Sequence, residues 1–159
     1  MSTAQERTTD ELNHILQSCG PEDFPGYLNE HAQQLQPGKR SFTEYMRRTI
    51  RSKGLQQQDV FLNADIPERY GYKLISGERH TRQRDVIVRL CLASHFTLRE
   101  AQTALALYEM PALYARIPRD AALIIAFNTE IYNPYDVDRL LSDNGLEPLY
   151  PCGEADISP

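Results

Sequence analysis

With 159 residues, 41% hydrophobic and 25% charged, the chain has an ordinary globular composition and suffices for one compact domain with a small appendage. Its net charge of −5 argues against indiscriminate nucleic-acid binding, and no run approaches the ~20 apolar residues of a membrane span. The polar start MSTAQERTTDE has the pattern of neither a signal nor a transit peptide, so a cytoplasmic protein with no membrane partner is expected.

Helical periodicity runs through almost the whole sequence, and an all-α fold is expected. The first helix should open near Thr9 or Asp10, present Leu12, Ile15 and Leu16, and stop at CGP. A second should cover about 22–36, with Phe24, Tyr27, Leu28 and Leu35 as its apolar set, and end at PGK. In SFTE (41–44) the spacing predicts a capping box between Ser41 and Glu44. Behind it Phe42, Tyr45, Met46, Thr49 and Ile50 form one apolar stripe, with Arg47, Arg48 and Arg51 opposite and Gly54 as the closing cap. Helices at about 56–64, 67–76, 82–94, 97–110, 119–130 and 133–144 follow. DAALIIAFN (120–128) is apolar on all sides and is expected to be the most buried helix of the C-terminal part. The last residues, YPCGEADISP, have little to bury, and 151–159 is expected to be a disordered tail.

An internal echo links residues 84–114 with 119–150, one residue longer. Each opens with Arg-Asp and an apolar helix. A cap follows, Thr97 with Glu100 or Asn133 with Asp136, and each ends in Leu-Tyr. Two helical hairpins, each covering the other's apolar face, are expected.

Cys19, Cys91 and Cys152 are odd in number and far apart, which supports neither a disulfide framework nor a zinc site; Cys91, in VIVRLCLA, reads as a buried thiol. The four histidines are equally scattered. No phosphate-cradling glycine loop, metal-ligand spacing or nucleophile beside a base is present, so no cofactor, metal, catalytic residue or enzyme activity is expected.

Charge is distributed unevenly. Residues 39–84 carry eleven basic and five acidic side chains, a net of +6 (11 − 5), leaving −11 (−5 − 6) for the remainder. Within that basic stretch, LQQQDVFLNADIPERYGYKLISGER (55–79) has the length and grammar of a helix-turn-helix. Asp65 stands at the tight turn, where it tolerates a left-handed backbone better than most residues. Ile66 plugs the core, Pro67 is acceptable in the first turn of the second helix, and Ser76-Gly77 ends it. This segment resembles the Xre/Cro-type (lambda-repressor-like) helix-turn-helix proteins, and more narrowly the bacterial subgroup with a YGY…SG.R recognition helix and extra C-terminal helices. The resemblance spans roughly 41–149.

It implies a five-helix DNA-binding core at 41–114, preceded by an N-terminal helical extension (1–40) and followed by a C-terminal helical hairpin (115–150) packed on the core. It also implies transcriptional regulation on double-stranded DNA, often as a homodimer. On that reading, Gln57 meets a phosphate. The helix 67–76 offers Glu68, Arg69, Tyr72, Lys73 and Ser76 to the major groove, and Arg79 and Arg82 follow along the DNA backbone. Two departures stand out. Most members carry alanine in the middle of the first helix and valine or isoleucine in the second, whereas here those positions are Phe61 and Gly71. Paired, they predict a size swap, with the Phe61 ring lying over Gly71. Glu68 is dissonant beside phosphates unless it accepts from a cytosine amine or pairs with Arg69 or Lys73. The alternative is a protein-interaction module that keeps the fold and uses its Tyr/Arg surface to bind a protein partner.

Overall fold

The computed structural model describes residues 8–32, 35 and 40–149, with residues 40 and 41 described in their backbone alone. The cap expected of the Ser41 side chain and the tail expected at 151–159 therefore lie outside the described residues. All regular structure among the described residues is helical, and no described helix is long and apolar enough to cross a membrane. The chain divides into two compact units, Met1–Pro37 and Gly38–Pro159.

In the first unit, α1 (Thr9–Gln17) opens on a capping box. The Thr8 hydroxyl accepts from the Glu11 amide at 3.2 Å, and the Glu11 carboxylate accepts from the Thr8 amide at 2.7 Å. A 3-10 turn (Pro21–Asp23) leads into α2 (Phe24–Glu30). This helix is shorter than the expected 22–36. Asn29 and His31 are weak helix formers, and the backbone leaves the helix at His31, which is buried with its ring against Tyr27, centroids 4.8 Å apart.

The second unit holds α3 (Arg40–Ser52), α4 (Gln57–Ala64), α5 (Glu68–Ser76), α6 (Arg84–Ala93), α7 (Leu98–Leu107), α8 (Pro118–Asn128) and α9 (Pro134–Asp143). At its centre lies α6, buried at every residue from Val86 to Ala93 and packed on α4, α7 and α9. Within the C-terminal hairpin α8 is more buried than α9, as expected of 120–128, although its burial is one-sided. Helix α8 buries Ala122, Leu123, Ala126 and Phe127 but leaves Ile125 53% exposed. Cys91, at the centre of α6, is a free buried thiol, and burial pushes its pKa up, as expected of a packing residue.

Six helices end alike. At the close of α3, α4, α6, α7, α8 and α9 a left-handed residue is followed by an apolar one, whose amide bonds back five residues into the helix. The left-handed positions are Gly54, Asp65, His95, Glu109, Glu130 and Gly145. At α6, for example, Phe96 N–H donates to the Cys91 carbonyl at 3.1 Å and His95 N–H to Leu92 at 3.0 Å. This is the Schellman arrangement. The residues that follow, Leu55, Ile66, Phe96, Met110, Ile131 and Leu146, all join or abut the core. Burial of that apolar residue offsets the cost of about 1 kcal/mol or more of a left-handed backbone at Asp65, His95, Glu109 and Glu130.

The internal echo appears as a set of matched bonds. The Arg84 guanidinium donates to the Pro111 and Ala112 carbonyls of its own hairpin and to Asp120 of the other, at 3.4, 3.4 and 2.5 Å. Arg119 does the same, donating to the carbonyls of Glu147 and Pro148 and, with two nitrogens, to Asp85 at 2.9 and 2.8 Å. The Leu113 amide is held by Gln102 and the Leu149 amide by Asp138, each at 2.8 Å. Ser94 and Thr129 each return a hydroxyl to the carbonyl one turn back, Leu90 and Ile125. Helix α6 packs on α9 and α7 on α8. Each hairpin thus gives the other what it receives, an approximate internal two-fold. Alignment of Phe96 with Ile131 and of Thr97 with Asn133 makes Tyr132 the extra residue; its ring stacks on His95 at 4.5 Å.

Candidate nucleic-acid interface

Helices α4 and α5 are joined by three residues. Asp65 is left-handed (φ 55°, ψ 46°), Ile66 is 4% exposed, and Pro67 is extended, so α5 begins at Glu68, one residue later than expected. Phe61 is fully buried, and a Cβ placed on Gly71 would lie 2.4 Å from Phe61 Cδ1. The ring occupies the space a larger residue at 71 would need, which is the size swap read from the sequence. Glycine weakens α5 by about 1 kcal/mol relative to alanine; burial of a phenyl ring returns roughly 2–3 kcal/mol. Tyr72 then packs edge-on against the same ring, centroids 4.9 Å apart and planes at 81°.

Neighbouring helices fix this pair. The Thr43 hydroxyl of α3 donates to the Ile75 carbonyl of α5 at 2.6 Å. From α6, the 4% exposed Arg89 donates through Nε to the Ala64 carbonyl at 3.1 Å, satisfying the end of α4, and its Nη2 approaches Asp65 at 4.0 Å. Lys53, just past α3, bonds Glu100 of α7 at 2.6 Å. Burial alone would raise the Glu100 pKa, but the bonds from Lys53 and Thr97 outweigh it and hold the carboxyl below its usual range.

Helix α5 is divided cleanly. Tyr70, Gly71, Leu74 and Ile75 are buried. Glu68, Tyr72, Ser76, Arg69 and Lys73 fall within an outward arc of about 140°, at 3.6 residues per turn. Glu68 and Arg69 are exposed and form no ion pair among the described residues, so the pairing of Glu68 with Arg69 or Lys73 is absent. Lys73 instead approaches Glu78 at 4.0 Å. The Ser76 hydroxyl donates to the Lys73 carbonyl and accepts from the Glu78 amide, so it is engaged in closing the helix before Gly77 (φ 85°). The Arg79 amide also donates to the Lys73 carbonyl, at 3.1 Å, while Arg82 is exposed in the loop beyond.

The singled-out residues gather into two clefts flanking this arc. One is lined by Arg69, Lys73 and Arg79 with Pro67 and Tyr70. The other brings Gln57 and Tyr72 together with Arg47 and Arg51 of α3. Glu68, Ser76 and Arg82 line neither. Two features escaped the sequence reading. Arg47 and Arg51 were legible as a basic face but not as neighbours of Tyr72. Arg89, which seats the helix pair, showed only as a single charge in the apolar run VIVRLCLA. Among the described residues no cluster of three or more His, Cys, Asp or Glu side chains could hold a metal ion. Scans against protein-family models, curated proteins and solved structures find no match to this chain.

Proposed function

We propose that residues 41–114 form a lambda-repressor-like helix-turn-helix core, with 115–150 as a C-terminal hairpin, and that the chain is a sequence-specific DNA-binding regulator. The observation that carries this reading is the pair of arginine-lined clefts on either side of the outward arc of α5. A helix entering a major groove needs uncompensated donors along its exposed face and cations beside it for the flanking phosphates. Arg69 and Lys73 then reach guanine edges or phosphates, and Tyr72 packs on a thymine methyl. Gln57, Arg47, Arg51, Arg79 and Arg82 meet backbone. Glu68, in no ion pair among the described residues, accepts from a cytosine amine.

The test is selection from random duplexes followed by titration of affinity with salt. Affinity should fall steeply as salt rises. Arg69→Ala should relax base preference, and Arg79→Ala should weaken all sites about equally. Absence of duplex affinity above background in low salt refutes the proposal.

A second reading, a protein-interaction module, is favoured by one observation. Leu62 on α4 is 78% exposed and Tyr72 on α5 43% exposed, apolar and aromatic side chains better suited to a protein surface than to phosphates. A protein partner that survives nuclease treatment and is lost on Tyr72→Ala selects this reading over the first.

A further inference from the structure

The approximate two-fold relating the hairpins assigns each face of α6 a counterpart on α8, and the two counterparts differ in what covers them. On α6, Leu90 is fully buried and Arg89 reaches the carbonyl end of α4, which packs there. The equivalent positions on α8 are Ile125 and Ile124. Ile125 is 53% exposed, Ile117 at the head of the helix is 46% exposed, and Ala121 and Asn128 continue the same face one turn apart. Repeat one has its lid; the equivalent face of repeat two is open to solvent.

We propose that this face of α8 is a self-association surface and that its occupant is α8 of a second copy of the chain, antiparallel across a two-fold axis. Three observations select that occupant. First, a helix whose carbonyl end meets this face, as the end of α4 meets Arg89 on α6, needs a donor for its terminal carbonyls. Arg89 supplies one on α6, whereas Ile124 has none to give. A helix lying along α8 with its own backbone satisfied needs no donor, and α8 itself is such a helix. Second, the face is uncharged: Arg119 and Asp120, the charged residues within α8, are committed to the clasp between hairpins. Such a face approaches its own copy without like-charge repulsion. Third, its ends are complementary. Arg116 precedes the helix and Glu130 follows it, both exposed and neither in an ion pair among the described residues. Antiparallel pairing sets Arg116 against Glu130 of the partner subunit, twice, by symmetry.

Sedimentation velocity on the full chain without DNA, over about 1–300 µM, tests this at concentrations suited to a small interface. A monomer–dimer equilibrium is expected. Ile125→Glu should leave a monomer at every concentration with unchanged thermal melting. Arg116→Glu should weaken the dimer at low salt, and Arg116→Glu combined with Glu130→Arg should restore it. If Ile125→Glu lowers the melting temperature, Asn128→Arg on the same face repeats the test and should also give a monomer. A wild-type chain that stays monomeric throughout overturns the proposal and leaves the face for an unlike helix. A dimer that survives both Ile125→Glu and Asn128→Arg overturns it as well, by placing the contact elsewhere.

Discussion

The two hairpins, α6–α7 and α8–α9, share a set of polar bonds and differ in what they do with their apolar surface. Each uses Arg-Asp to clasp the other and the same left-handed exit from its first helix. Helix α7 opens on a Thr97–Glu100 capping box, whereas on α9 Asn133 accepts from the Tyr135 amide and the cap expected with Asp136 does not form. Yet α6 is enclosed by α4, α7 and α9, while α8 keeps Ile125 in solvent. The difference rests on few positions. Arg89 lets α6 receive the end of α4, and Lys53 ties α3 to Glu100 of the first hairpin; their counterparts, Ile124 and an Asp136 with no ion pair among the described residues, do neither. A repeated frame can therefore be specialised by one or two side chains, one copy as a seat and the other as a free face.

The largest way to break this comparison is to cut the clasp. Asp120 is 1% exposed and accepts from Arg84 and from the Tyr114 amide, so Asp120→Ala should cost about 3–5 kcal/mol by chemical denaturation. Asp85→Ala, at the more exposed end of the pair, should cost about half as much. Next is the seat itself: Gly71→Val forces a side chain into the Phe61 ring and should destabilise by about 2–3 kcal/mol. Adding Phe61→Ala should recover part of that loss, which a purely local backbone effect at position 71 would not allow. Arg89→Met should cost about 2 kcal/mol by orphaning the Ala64 carbonyl, whereas Ile124→Met should be close to neutral.

Smaller effects sharpen the comparison. Glu130→Gly should stabilise by about 0.5–1 kcal/mol by removing left-handed strain, and His95→Gly by less, because it also removes the ring stacked on Tyr132. The smallest is a pH effect confined to the first hairpin. The Glu100 pKa is depressed in the fold, so its stabilising contribution is complete above the unfolded value near 4.3 and is lost as pH falls through the lower folded value. Acid titration of stability should therefore show that component reduced in Lys53→Met, where the Thr97 bonds remain, and unchanged in Asp136→Asn.

Features set by local chemistry were legible in the sequence. The outward arc of α5 follows from spacing, the Asp65 turn from residue type, and the Phe61–Gly71 swap from two departures of opposite size. Glu109 and Glu130 were not legible as left-handed helix ends, because glutamate has no turn preference of its own; the apolar residue after each makes the conformation affordable. The early stop of α2 was missed because Phe24, Tyr27, Leu28 and Leu35 kept helical spacing through residues that favour helix only weakly. The echo of the hairpins could be read from Arg-Asp and Leu-Tyr. That each arginine serves its own hairpin's carbonyls and the other's aspartate could not, because that contact exists only once the two are packed. For the same reason the candidate site was legible as a list of residues on one helix, while its division into two clefts depends on where α3 lies.

The crossed clasp also bears on how the chain acquires its structure during synthesis. When the first hairpin leaves the ribosome, Arg84 still lacks Asp120 and Asp85 still lacks Arg119. The carbonyls that hold Arg119 lie later still, at Glu147 and Pro148. The clasp of the first Arg-Asp is thus complete only when nearly all of the described chain has emerged. Residues 84–149 should therefore lock in a single late step, and a nascent chain stalled before Asp120 should remain open to protease throughout the first hairpin.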